Sequence, residues 1–217
     1  MGILDEALAV ATAVRTAQKS EGIWLADHPF VQAVRVGIAR QEEIGRWARQ
    51  FYCLTRCSGE LLQPAHEAAL AKPLFNAQQE LEMLIQLGNA LGLTKATMAN
   101  SEANPATRSV KEWMRKHIIA PDKSDKAQIC MALVEGMSPE AGAYLAEGAE
   151  EHYGLRADQI QYFTLRMRSK HDAGKDAAQM LSQLPIEQWD FVRDEALIVS
   201  RLVDQMYNSV GDMWSSW

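Results

Sequence analysis

The sequence predicts an all-α fold, a bundle of about eight helical segments joined by short loops. Two observations carry this. Apolar residues recur every three or four positions along most of the chain, the period of a helix with one buried side. No alternating run of β-branched residues bounded by turn signals appears, so no strand is expected. No repeat period appears either, which sets solenoids aside.

Residues 3–19 form the first helix, with Leu4, Leu8, Ala11 and Val14 inward and Lys19-Ser20-Glu21-Gly22 as its end. His28-Pro29-Phe30 reads as a helix entry, because Pro29 lacks an N–H and has a preset φ. That helix stops near Gly37. A longer one runs from Arg40 to Cys57 with Ile44, Trp47, Phe51 and Leu54 as a stripe, and Gln50 and Tyr52 beside it. Ser58-Gly59 interrupts it, and Glu60–Ala71 resumes with a kink at Pro64. Pro73 separates the next helix, which Asn76 and Gln79 open as a capping pair. It runs to Leu91 and ends at Gly92.

Residues 93–104 read as a surface connection. Asn104-Pro105 opens a helix with Val110, Trp113, Met114 and His117 along one side, and Ala120-Pro121-Asp122 stops it. Ser124–Glu135 is helical. Gly136 to Pro139 breaks it, with Ser138 capping a restart that reaches His152 and closes at Gly154. Arg156–Ser182 is one long helix weakened at Gly174. Pro185 opens the last, with Phe191, Ile198, Leu202 and Met206 inward.

A length of 217 residues with 47 % hydrophobic residues suits a single domain, 1–217, around one core. A formal net charge of -6 offers no broad basic surface, so nucleic acid and anionic lipid are not expected partners. No apolar run approaches a membrane span. Asp5 and Glu6 stand where an export signal carries positive charge. The three cysteines, Cys53, Cys57 and Cys130, fit a reducing cytoplasm. Exposed tryptophans among Trp189, Trp214 and Trp217 would mark a dimer contact, and a homodimer is the expected assembly.

A helical dimetal site wants carboxylates and histidines one turn apart. None of His28, His66, His117, His152 and His171 has Asp, Glu or another His at that spacing, so no self-contained metal motif exists. Tyr162 and Arg166 lie one turn apart, and Arg166 and Lys170 share a face. A phenol can pass a proton, and a guanidinium can hold a carboxylate or developing oxyanion.

The string from His28 to Thr55 (HPF, a Gly, then Ile-x2-Trp-x2-Gln-Phe-Tyr) resembles the opening of the haem-oxygenase-like superfamily. The relevant branch holds pyrroloquinoline-quinone synthase, TenA-type thiaminases and CADD-related diiron oxidases. The likeness covers residues 24–57, 76–93 and 130–166. It implies a haem-oxygenase-like helical bundle. The diiron pattern, His-x3-Asp-x2-His, meets Arg166, Lys170 and Ala173 here, while Gln79 falls at an earlier Glu and Glu135 alone keeps a carboxylate. Tyr162, Phe163 and Arg166 match the cofactor-free quinone-synthase pattern, but Gly142 and Leu25 replace its catalytic histidines. Cys130 lacks the surroundings of a thiaminase nucleophile.

The resulting expectation is a metal-independent, oxidoreductase-type enzyme of a biosynthetic pathway. It would act on a small anionic or aromatic metabolite in a cavity inside the bundle, with no cofactor. Tyr162, Arg166 and Glu135 are the candidate catalytic residues, and Trp47, Gln50, Phe51 and Lys170 the candidate ligand-binding ones. A non-catalytic ligand- or protein-binding member is the alternative, and a diiron (Fe) oxidase with unusual ligands the second.

Overall fold

A computed structural model of the chain describes residues 2–68, 76–118, 124–167 and 173–211, at 62–68, 124 and 173 by backbone alone. Pro73, Pro121, Lys170, His171, Trp214 and Trp217 lie outside the described residues, as do the side chains of Pro64 and His66. Among the described residues every regular element is helical: α1 (Ile3–Ser20), α2 (Pro29–Arg35), α3 (Gln41–Ala68), α4 (Ala77–Ala90), α5 (Lys95–Ala99), α6 (Pro105–Ile118), α7 (Ser124–Glu135), α8 (Ser138–Tyr153), α9 (Gln161–Met167), α10 (Ala173–Leu181) and α11 (Trp189–Asn208). Single 3₁₀ turns precede α2 and α11.

The helix starts follow local chemistry. The His28 ring caps α2, with Nδ1 accepting from Phe30 N at 3.1 Å and Pro29 at the first position. Its Nε2 pairs with Asn208 Oδ1 at 3.2 Å, so a neutral ring protonated on Nε2 satisfies both contacts. Asn76 Oδ1 accepts from Gln79 N at 3.1 Å to open α4. Gly154 closes α8 at φ 64, in the left-handed region.

Several boundaries differ from the sequence reading. Ser58-Gly59 does not interrupt α3, which runs on for 28 residues. The Ser58 hydroxyl donates back to Leu54 O at 3.1 Å, a contact that a helix accommodates. A Cβ on Gly59 would sit 2.7 Å from Ala77 Cβ, so the glycine serves the close approach of α4. Residues 93–104 are not wholly a surface connection: Thr94 caps α5, and Met98 is fully buried. Helix α9 starts at Gln161, not Arg156, and Ser138 is the first residue of α8 with Met137 as its cap. The inward side of α11 is Val192, Ala196, Val199, Val203, Met206 and Tyr207, whereas Phe191 and Ile198 are exposed. Leu4 is likewise exposed, and Trp189 is buried and donates to Leu184 O rather than facing outward.

One apolar cluster runs from Ala7 to Val210. Helix α3 packs on α4 and α6, α8 on α2 and α9, and α11 on α1, α6 and α7. This leaves a cavity where α3, α7, α8, α9 and α11 meet.

Candidate functional site

The stripe of α3 that forms the core also forms the cavity wall. Trp47 and Phe51 stack with ring centroids 4.2 Å apart. Tyr162 from α9 and Tyr207 from α11 stand edge-on to Trp47 at 5.9 and 6.0 Å. Such tilted pairs suit the ring quadrupoles. Val134 and Glu135 of α7 and Gly142 and Leu145 of α8 complete the enclosure with Arg166. A Cβ on Gly142 would lie 3.0 Å from Phe163 O and 3.1 Å from Arg166 Cβ. Glycine here therefore lets α9 press against α8 and brings Arg166 to the cavity.

The cavity, partly open to solvent beside Glu135, holds about 80 Å³. A benzene-sized guest needs roughly 150 Å³. An aromatic ligand therefore enters only if wall side chains turn aside.

Arg166 is the electrostatic centre. Its Nη2 lies 2.5 Å from Glu80 Oε2 and donates to the Tyr162 hydroxyl at 3.2 Å, and its Nη1 lies 3.7 Å from Glu135 Oε1. Burial opposes the charge on Arg166, but Tyr162, Glu80 and Glu135 together hold its pKa above the usual range. Burial pushes Glu80 up to about 7 against the opposing pull of Arg166, with Glu135 adding to the rise. Burial likewise pushes Tyr162 up to about 12. Arg166 thus stays cationic, Tyr162 stays protonated, and Glu80 titrates near neutrality. Glu80 backs Arg166 without lining the cavity, whereas Glu135 lines it and has a half-exposed side chain.

The structure brings five expected site residues, Trp47, Phe51, Glu135, Tyr162 and Arg166, to one cavity. Gln50 is not among them, which corrects its placement. Its Oε1 accepts from Asn104 N at 2.9 Å and Thr107 Oγ1 at 2.8 Å, and its Nε2 donates to Glu102 O at 3.3 Å. The amide ties the α5–α6 loop to α3 and does not line the cavity. Lys170 lies outside the described residues.

The sequence reading passed over two residues. Glu80 is 5 % exposed, while its neighbour Gln79 faces solvent, so Glu135 is not the sole carboxylate of the cluster. The signal was present: Glu80 precedes Leu84, Leu87 and Leu91 on the apolar stripe of α4. Tyr207 is the other: it sits beside the correctly inward Met206, on a helix whose sequence pattern also suggests Phe191 and Ile198, both exposed, as inward.

Metal and haem fit these residues poorly. Glu80 and Glu135 both face the Arg166 guanidinium, which a metal ion between them would have to displace. No cluster of three metal-ligating side chains forms among the described residues. A haem far exceeds the cavity, and His28 spends both ring nitrogens on Phe30 and Asn208. Cys130 is no better as a nucleophile, since burial first and Glu195 second raise its thiol to about 12.

Solved structures share this helical bundle. A TenA homologue from Pseudomonas syringae pv. tomato str. DC3000 superposes with a TM-score of 0.73 at 10 % identity, covering 97 % of each chain. A TenA homologue from P. horikoshii OT3 reaches 0.68 at 13 % identity, over 93 % of this chain and 97 % of that one. Haem oxygenase-1 from the cyanobacterium Synechocystis sp. PCC6803, solved with haem, reaches 0.65 at 13 % identity, over 95 % and 94 %. No family model matches the chain, and no curated protein matches it by sequence. The chain has the haem-oxygenase-like fold shared by these TenA homologues.

Proposed function

We propose that the chain is a metal-independent enzyme that oxidises a compact, electron-rich aromatic metabolite inside the α3–α7–α8–α9–α11 cavity. One observation carries the reading: an aromatic enclosure of Trp47, Phe51, Tyr162 and Tyr207 opens onto Glu135 and a countered Arg166. Two carboxylates already face Arg166, so the cluster favours an aromatic ligand over an anionic one. Glu135 would take one substrate proton, two electrons and the second proton would pass to dioxygen, and hydrogen peroxide would leave with the oxidised ring as the proton on Glu135 returns to Tyr162. Arg166 would steady the developing oxyanion, and Tyr162 would supply a proton to reduced oxygen. Glu80 would act by positioning Arg166. Three buried free thiols fit a cytoplasmic setting, and a homodimer remains part of the proposal.

The test is an oxygen-electrode screen of phenols, catechols and hydroxylated heteroaromatics, with peroxide detection. Saturable uptake that falls at least tenfold in Tyr162→Phe and Glu135→Gln supports the reading. Stoichiometric iron retained after anaerobic ferrous loading would overturn its metal-independent part. A second reading, ligand binding without chemistry, is favoured by the mutual satisfaction of Glu80, Arg166 and Tyr162. Calorimetric binding of a screened compound with no oxygen uptake would select it.

A further inference from the structure

A second concavity lies on another face of α3, between that helix, the α5–α6 loop and α6. It is a surface groove of about 330 Å³ lined by Arg56, Arg108, Lys111 and Arg115, with Glu102 and Glu112 at its walls. We propose that this groove binds a small phosphate-type oxyanion, such as a phosphomonoester or pyrophosphate.

The argument starts from charge. A chain of net charge -6 repels anions in general. Here four cations face two carboxylates, and no ion pair joins any of the six to a partner within 4.0 Å among the described residues. The positive groove is therefore not neutralised internally.

Geometry comes second. Arg108, Lys111 and Arg115 fall at three- and four-residue steps, so they line one side of α6. Arg56 reaches in from α3. Its Nη1 donates to Ala99 O at 3.0 Å while its guanidinium lies over the Tyr52 ring, 5.8 Å from the centroid. Arg108 Nη1 donates to Ala103 O at 3.0 Å. Each guanidinium carries five N–H donors, so one such bond fixes the fork and leaves others for a ligand. The groove wall is itself pinned: Gln50 holds Glu102 O and Asn104 N, and the Cys53 thiol donates to Ser101 O at 3.2 Å. A fixed concave set of guanidinium forks matches phosphate oxygens, whereas a flat membrane surface cannot enter it.

The test titrates the full chain with inorganic pyrophosphate by calorimetry, each point matched in ionic strength with sodium chloride. Lys111→Ala/Arg115→Ala, Glu102→Gln/Glu112→Gln and vesicles of phosphatidylcholine with phosphatidylserine form the other arms. Saturable binding, weakened about tenfold or more by the first pair and tightened by the second, is expected. The substituted side chains are exposed or half-buried, and a thermal melt verifies folding. No saturable heat in the matched titration would overturn the proposal. So would binding that the Lys111/Arg115 pair leaves unchanged, or vesicle binding without pyrophosphate binding.

Discussion

Helix α3 carries a neutral polar network on one face and leads to a charged cluster from another. Around Gln50 every partner is a neutral hydroxyl or backbone group. Around Arg166 the partners are two carboxylates and a phenol beside a cavity. The neutral network ties a loop. The charged cluster places a titratable group of pKa about 7 behind a cation at the wall of a cavity. Burial of charge is expensive, and its placement beside the cavity is what the proposed function rests on.

Removing the cation tests this contrast most severely. Arg166→Ala strands Glu80 as a buried carboxylate and should lower stability by roughly 4 kcal/mol at pH 8, read by urea denaturation. Arg166→Met with Glu80→Leu should recover most of that loss. Failure of the recovery would mean that α9 depends on Arg166 for more than charge balance. Gln50→Ala should lower stability by about 2 kcal/mol, since it leaves Asn104 N and Thr107 Oγ1 without their acceptor. It should also leave oxygen uptake and its KM unchanged, and a KM shift would return Gln50 to the cavity site.

The pH profile separates two buried groups by sign. Glu80 has its folded pKa raised from 4.5 to about 7, so the folded chain holds more protons than the unfolded one between these values. Its contribution makes stability fall as pH rises from 4.5 to 7. His28 has its folded pKa lowered from 6.5 to about 4 by burial, so its contribution makes stability fall as pH drops through that window. Glu80→Gln should remove the first slope and His28→Asn the second, each read from denaturation midpoints at successive pH values. If neither variant changes its slope, other groups set the pH response. The smallest effect belongs to Tyr162→Phe, which loses the contacts to Arg166 and Thr55 and should cost about 1 kcal/mol while abolishing most turnover.

Much of the fold was legible locally. His28-Pro29, Asn76, Asn104-Pro105 and Gly154 mark helix ends through backbone chemistry confined to a few residues, and the structure places helix ends there. The cavity wall was legible in part: the Trp47–Phe51–Leu54 stripe and the Tyr162–Arg166 spacing put all five of these residues on one enclosure. Ser58-Gly59 was misread because a glycine that admits a neighbouring helix is identical, in sequence, to one that breaks a helix.

The sequence by itself determined that the chain is helical, where most helices begin, and which side of α3 turns inward. These depend on spacing and capping within a few residues. Only the tertiary structure decided that Glu80 meets Arg166, that Tyr207 faces Trp47, that Gln50 holds a loop, and that four cations border one groove. Each joins residues far apart in the chain, and a periodic pattern fixes a helix face without naming the helix opposite it.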